Sequence, residues 1–505
     1  MRSKNSAKNL ISSIGITVVI TCLGFFSRRI FVDAIGIEYL GINGLLQNII
    51  GAMALLEGGF ATSVVYNLYK PLAENDQPKI IALLQLYKKV YRYIAFGIFL
   101  CALILYPFIG YFIKETDNLP NLSIIYFLFL FNSLLQYFTA YKWAIINASQ
   151  QLYKLTTINL IYQIGLYLAK IAIIIYTKDY ILYLIVEGVF GIFLNISIVQ
   201  KANKLFPYIK TSTKYSIDLL TKQNIKTNMK ALFLHSIGGY FMHSTDNIII
   251  SSFIGIGVVG IYSNYTLIFT TIGSLVNQAL NSMAESVGNL IATESSEKIY
   301  NVFKTVFFIN FLTVSIPSII IYNTIDPFMS WWIGKYFLLP KLTIAIILIN
   351  FFITYMRNSA LIFKTKSGIF VKDRYTPLLQ GVINVILSLL LVKYFGLNGV
   401  FIATCISILA IGFWQFPRLI YKYTFKKSLL TYFKTYLFYL SAALCALIVS
   451  SIVCNIISLD NNLLKCFVNF FISLFCIVII YLITFFRTSE FDKILNYIRI
   501  VLFNQ

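Results

Sequence analysis

Stretches of about twenty predominantly apolar residues recur along this chain and constrain its fold more than any other feature, because each is long enough to cross a bilayer as a helix. They lie near 10–32, 42–69, 90–113, 122–146, 155–177, 180–200, 231–254, 257–281, 302–323, 340–363, 376–393, 397–417, 436–457 and 463–486. The composition agrees: 58% of 505 residues are hydrophobic and only 12% are charged, about half the charged share of a soluble protein. The expected fold is an all-α polytopic membrane protein of about 14 transmembrane helices.

Charge sets the topology. With the amino terminus inside, 31 of the 41 lysines and arginines fall on inner segments and 6 on outer ones, which puts both termini in the cytoplasm. The net charge of +22 is therefore the basic excess of inner loops, and nucleic acid is excluded as a partner. Seven scattered cysteines, none in C-x-x-C spacing, read as small core residues. The longest loop, 201–230, carries seven lysines and is expected to hold a surface helix. The tail around Phe491, Ile494, Leu495 and Ile498 is amphipathic and fits an interfacial helix.

The chain also repeats itself. "VDAIGIEYLGINGLLQNI" from Val32 aligns with "SSFIGIGVVGIYSNYTLI" from Ser251 at an offset of 219, pairing Gly36 with Gly255 and Gly41 with Gly260. "SQQLYK" (Ser149–Lys154) aligns with "SGIFVK" (Ser367–Lys372) at an offset of 218. Six spans per copy make these parallel repeats about an axis along the membrane normal. The literal G-x-G-x-x-G from Gly255 to Gly260 is then no nucleotide site, since Glu38 stands opposite Gly257; its glycines shape a tight outer turn. The expected organisation is a six-helix lobe over 1–200, a basic cytoplasmic connector over 201–230, a pseudo-twofold-related six-helix lobe over 231–425, and helices 13 and 14 with the tail over 426–505.

"HSIGGYFMHSTDNIIISSFIGIGVVGIYSNYTLI" (His235–Ile268), "FSRRIFVDAIGIEYLGINGLLQNI" and "LLEGGFATSVVYNLYKPLAEND" resemble spans of Wzx-type bacterial polysaccharide flippases, of the multidrug/oligosaccharidyl-lipid/polysaccharide (MOP) exporter superfamily. The resemblance implies two lobes around a central cavity lined mainly by spans 1, 2, 7 and 8. It further implies flipping of a polyprenyl-diphosphate-linked oligosaccharide across the cytoplasmic membrane, for capsule or O-antigen assembly, beside a polysaccharide polymerase. A drug or peptidoglycan-precursor exporter of the same superfamily is the alternative. A membrane glycosyltransferase or polymerase ranks lower, for want of a D-x-D pair or a large outer loop. No catalytic residue, metal ligand or cofactor is expected, and no G-x-x-x-x-G-K-[ST] motif is present to bind a driving nucleotide.

Charged residues at membrane depth cost about 2.5–3.5 kcal/mol each on insertion scales, so they usually face a cavity or a partner. The expected cationic cavity is built from Arg28, Arg29, Lys170 and Arg357, with a guanidinium fork suited to a diphosphate. The resemblance matches the family's arginine at the end of span 1 to Arg28 or Arg29. Snorkelling to headgroups is the rival reading for these arginines and for Arg357. Glu57, His235, His243 and Asp246 are the candidates for coupling to an ion gradient or for gating; a structural hydrogen-bond network is the rival reading for the histidines and Asp246. Glu187 and Glu285 carry less support.

Overall fold

The structure is a computed structural model. It describes the backbone of residues 2–114, 121–369, 371–493 and 495, and side chains from Val19 onward, those at 231, 235, 243, 285, 292 and 371 excepted. Among the described residues there is no strand. Contacts divide the chain into two compact units, Met1–Gly260 and Ile261–Gln505.

The first unit contains α1 (Arg2–Ile35), α2 (Ile37–Met53), α3 (Phe60–Glu74), α4 (Gln77–Leu105), α5 (Leu122–Leu135), α6 (Ala140–Ala148), α7 (Thr156–Thr177), α8 (Tyr180–Leu205), α9 (Leu219–His243) and α10 (Asp246–Phe253). The unit boundary falls inside α11 (Ile256–Thr293). The second unit continues with α12 (Ser296–Trp332), α13 (Lys341–Met356), α14 (Asn358–Lys366), α15 (Thr376–Phe395), α16 (Leu397–Ser407), α17 (Phe413–Ile420), α18 (Leu429–Ile456) and α19 (Asn462–Phe485).

Among the described residues, eleven helices are long and apolar enough to cross a membrane, and twelve if Leu122–Phe138 and Ala140–Ala148, bent by 47°, form one span. Length and apolarity alone therefore do not reproduce fourteen crossings. The expected first and seventh spans are both helical, but the first begins among residues whose side chains lie outside the description, and the seventh breaks at Ser244 and Thr245. The connector also differs from expectation. It holds a short turn of helix at Pro207–Lys210 and an extended stretch to Asp218, where α9 begins. No separate surface helix forms, because the residues expected to make it are the first turns of α9. Of the expected tail helix, 491–493 and 495 are helical, and 494 and 496–505 lie outside the described residues.

The duplication is legible in backbone detail. Asp76 caps α4 by accepting from Lys79 N–H at 3.0 Å, and Ser295, 219 residues on, caps α12 by accepting from Lys298 N–H at 3.4 Å. Helices α6 and α14 start and stop at positions 218 apart, and each is followed by a left-handed residue, Gln150 or Gly368. Gly36 and Gly255 have φ of 111° and 151°, a region that side chains resist. Within the first unit these turns approach reciprocally. A Cβ on Gly41 would meet the carbonyl oxygen of Ile256 at 2.1 Å, and a Cβ on Gly260 would meet that of Ile37 at 2.1 Å. Since Ile37 and Ile256 are themselves 219 apart, this is a local twofold built from the repeat.

Helices α18 and α19, outside the duplication, are fastened to α12 by stacked and edge-on ring contacts. Phe307 meets Tyr432 at 5.0 Å, Phe311 meets Tyr439 at 4.7 Å and Phe308 meets Phe485 at 5.0 Å. One amide adds specificity: Asn323 donates to Ser450 and Ser473 at 2.9 Å each and accepts from Ser451 at 2.8 Å, while Asn469 donates to its backbone carbonyl at 2.8 Å. Small hydroxyl residues and amides are what membrane helices use to recognise each other where no hydrophobic force drives association.

Candidate functional site

The first unit encloses a polar cavity of about 650 Å³. The sequence makes it by breaking helices. At "LLEGGF" α2 gives way to a tight turn, Ala54–Glu57, and Gly58 and Gly59 both take left-handed φ before α3 starts. That break turns Glu57 onto the cavity wall. Opposite, the bend between α5 and α6 presents Gln136, Tyr137 and Thr139. Tyr91, Asn159, Tyr162, Glu187 and Asn195 complete the polar lining. Tyr91 packs at 4.4 Å against Tyr87, which continues to Phe60 at 5.5 Å, and Glu57 lines the wall with them. The wall is thus an aromatic layer studded with amides and two carboxylates. Among the described residues no lysine or arginine lines it.

Lys170 reaches this cavity through an acid. It is buried on α7, and its ammonium donates to Glu187 Oε2 on α8 at 2.7 Å while sitting 4.2 Å over the ring of Tyr183. Glu187 itself is half-exposed and opens onto the cavity. Arg28, on α1, is half-buried against Tyr167 and Tyr183 of the same two helices. The structure therefore gathers Arg28, Lys170 and Glu187 into one tyrosine-rich cluster beside the cavity. Arg29 is exposed and makes a loose pair with Asp33 at 3.8 Å, as a residue reaching for headgroups would.

Arg357 belongs to the second unit and lies in a different setting. It is 9% exposed at the break between α13 and α14, donates to Gln380 Oε1 at 3.3 Å, and lies 5.4 Å from the Phe416 ring. Room for the guanidinium comes from Gly412, at the end of a π-helical turn, Ile408–Gly412. Nearby Lys364 is ion-paired with Asp373.

Asp246 starts α10, with its Oδ1 buried and unpartnered among the described residues, and Asn247 packs against Gly44. The side chains of His235, His243 and Glu285 lie outside the described residues. Among the described residues no group of three His, Cys, Asp or Glu side chains could hold a metal ion.

Two parts of this site were missed in the sequence. Glu187 ranked low, although it follows the Lys178–Asp179 turn by as many residues as Lys170 precedes it, which puts both at one depth of an antiparallel helix pair. The aromatic and amide wall gave no signal, since tyrosine is abundant throughout and only packing selects Tyr87, Tyr91, Tyr137 and Tyr162.

No family model matches this chain. No curated protein matches it either. Solved structures do. A lipid II flippase, MurJ, in an inward closed conformation superposes with a TM-score of 0.67 at 14% identity, covering 94% of this chain and 98% of that one. An inward-facing multidrug resistance MATE family transporter of the MOP superfamily gives 0.52 at 12% identity over 79% and 95%. A MOP superfamily transporter from Pyrococcus furiosus gives 0.53 at 13% identity over 81% and 93%. These neighbours are transporters rather than enzymes. At such identities the likeness establishes the fold: this is a polytopic helical protein with the MurJ- and MATE-like transporter architecture.

Proposed function

We propose that this chain flips a polyprenyl-diphosphate-linked oligosaccharide across the bacterial cytoplasmic membrane by alternating access, for surface polysaccharide assembly. One observation carries the reading: a membrane-embedded unit devotes about 650 Å³ to a cavity walled by tyrosines, amides and two carboxylates. Sugars are bound by such a wall. Aromatic faces take the pyranose C–H surface, and carboxylates and amides take the hydroxyls. A purely hydrophobic cargo would leave Glu57, Glu187 and Asn195 desolvated at a cost. Arg28 is the residue proposed for the diphosphate, because its guanidinium fork suits two phosphate oxygens and it belongs to the tyrosine-rich cluster beside the cavity. Glu57, on the cavity wall, is the proposed coupling residue if an ion gradient drives the cycle. The second unit, taken by itself, carries an apolar groove of about 790 Å³ lined by residues such as Ile319, Phe352, Trp414, Phe433 and Leu444, whose chemistry is that of a lipid-chain site.

The runner-up is export of an apolar drug, favoured by that same groove. Reconstitution separates the two. Proteoliposomes should move a fluorescent polyprenyl-diphosphate oligosaccharide faster than protein-free vesicles, and lipophilic cations no faster. Equal rates for the saccharide with and without protein would defeat the proposal.

A further inference from the structure

We propose that the first unit carries a phosphate-binding pocket beneath the connector, separate from the transport cavity and built from Lys88, Lys142 and Lys210. The pocket measures about 280 Å³ and lies between α4, α6, α8 and the 207–211 stretch. It opens at the end of the unit that bears the basic inner segments.

Lys142 is its floor. The residue is 4% exposed, on the short helix α6, and its ammonium donates to Asn203 Oδ1 at 2.6 Å. Its charged neighbours are Lys88 and Lys210, both of which line the same pocket. Lys88 and Lys142 sit on one ring, at 5.4 Å and 5.2 Å from the centroid of Tyr141. Two other buried lysines in this protein show the usual arrangement: Lys170 holds Glu187, and Lys364 holds Asp373. Lys142 has an amide oxygen instead, and among the described residues the pocket lining contains no carboxylate.

Three ammonium groups brought together around a partly dehydrated space repel one another unless an anion joins them. The fold nevertheless holds them there. The connector is fixed over α4 by Gln85, which donates to Thr213 C=O at 2.7 Å and accepts from Tyr215 N–H at 3.3 Å. Lys79 pairs with Asp218 at 2.9 Å and secures the far end. These clamps keep Lys210 and Thr211 over the pocket. The space is just below the ~300 Å³ at which drug-sized ligand sites begin, so it fits a phosphate group and not an oligosaccharide. Basic pockets between membrane helices on the inner side bind phospholipid headgroups, and a soluble phosphate offers the same chemistry.

The test reads lysine reactivity by acetylation and peptide mass spectrometry on the full chain. One arm adds inorganic phosphate to detergent-solubilised protein at constant ionic strength. The other compares nanodiscs of phosphatidylcholine with nanodiscs of equimolar phosphatidylcholine and phosphatidylglycerol. Lys88 and Lys210 become protected in at least one arm, while exposed Lys214, outside the lining, does not. Protection in the lipid arm alone identifies a headgroup, and protection by inorganic phosphate identifies a soluble anion. Lys88→Gln and Lys210→Gln alter accessible residues that need not disturb folding. Each should weaken binding by roughly tenfold, the size of one lost charge-assisted hydrogen bond. Unchanged reactivity of Lys88 and Lys210 in both arms, or full affinity in both variants, overturns the site.

Discussion

Alanine at Gly41 or Gly260 tests the reciprocal turn packing directly. Each new methyl would lie 2.1 Å from a backbone carbonyl oxygen. Carbon–oxygen contacts settle at about 3.3 Å or more, so either substitution asks for about 1.2 Å of extra separation between α2 and the start of α11. A flexible side chain could yield; a carbonyl in a helix cannot without moving the helix. The cost should reach the upper part of the ~1–3 kcal/mol range for overpacking, outweighing the ~1 kcal/mol that Gly→Ala gains in an unobstructed helix. Gly239, on α9, is the control: no described atom lies within 4 Å of its Cβ, and Gly239→Ala should be neutral or stabilising. The double variant carries a second signature. Once the helices part for one methyl, the other already has room, so the combined loss should fall short of the sum by about 0.5 kcal/mol or more. Thermal unfolding in detergent, followed by tryptophan fluorescence, measures all four proteins. If G41A and G260A unfold at the parent temperature, or if their losses add, the two turns do not share one contact and the local twofold is not there.

Other expectations follow from the ion pairs and the amide clamp. Glu187→Leu should destabilise by about 3 kcal/mol because it leaves Lys170 buried and unpaired. Lys170→Met should cost less, since Glu187 stays wet, and the double variant should recover most of the loss in the same unfolding assay. Asn323→Ala removes three side-chain hydrogen bonds to α18 and α19 and should cost about 1–2 kcal/mol, seen as easier proteolysis of the loop at 457–461 with α1–α8 unaffected. The connector should loosen in acid. The Lys79 ammonium and the Thr221 N–H hold the Asp218 carboxyl well below the usual carboxylate range. A folded pKa lower than the unfolded ~3.9 means the clamp contributes in full above that value and is lost as pH falls toward the folded one. Pepsin nicking of 211–218 should therefore rise as pH drops below about 4, and Lys79→Gln should weaken the dependence, leaving the part due to Thr221.

Periodicity and composition alone were enough for the membrane class, the helical fold and the duplication, because each is a local or a counting property. Apolar length decides helix in lipid, and a glycine opposite a glycine survives as identity at a fixed offset. Gly36, Gly41, Gly255 and Gly260 could be paired from the chain alone. What they touch could not, since their meaning lies in two carbonyls 215 and 223 residues away. The same holds for the charges. The sequence marked Lys170 as deep in the membrane and left Arg28 and Arg357 between a cavity and the headgroups, but it could not say what each would meet. Partnering is a matter of side-chain reach across helices, so Glu187 became Lys170's counter-ion and Gln380 became Arg357's uncharged hydrogen-bond acceptor only in the folded chain. Tertiary packing likewise chose four tyrosines out of thirty-five for a cavity wall, and it left Lys142 buried beside two more lysines. Burial is set by what lies opposite in space, which one-dimensional spacing does not encode.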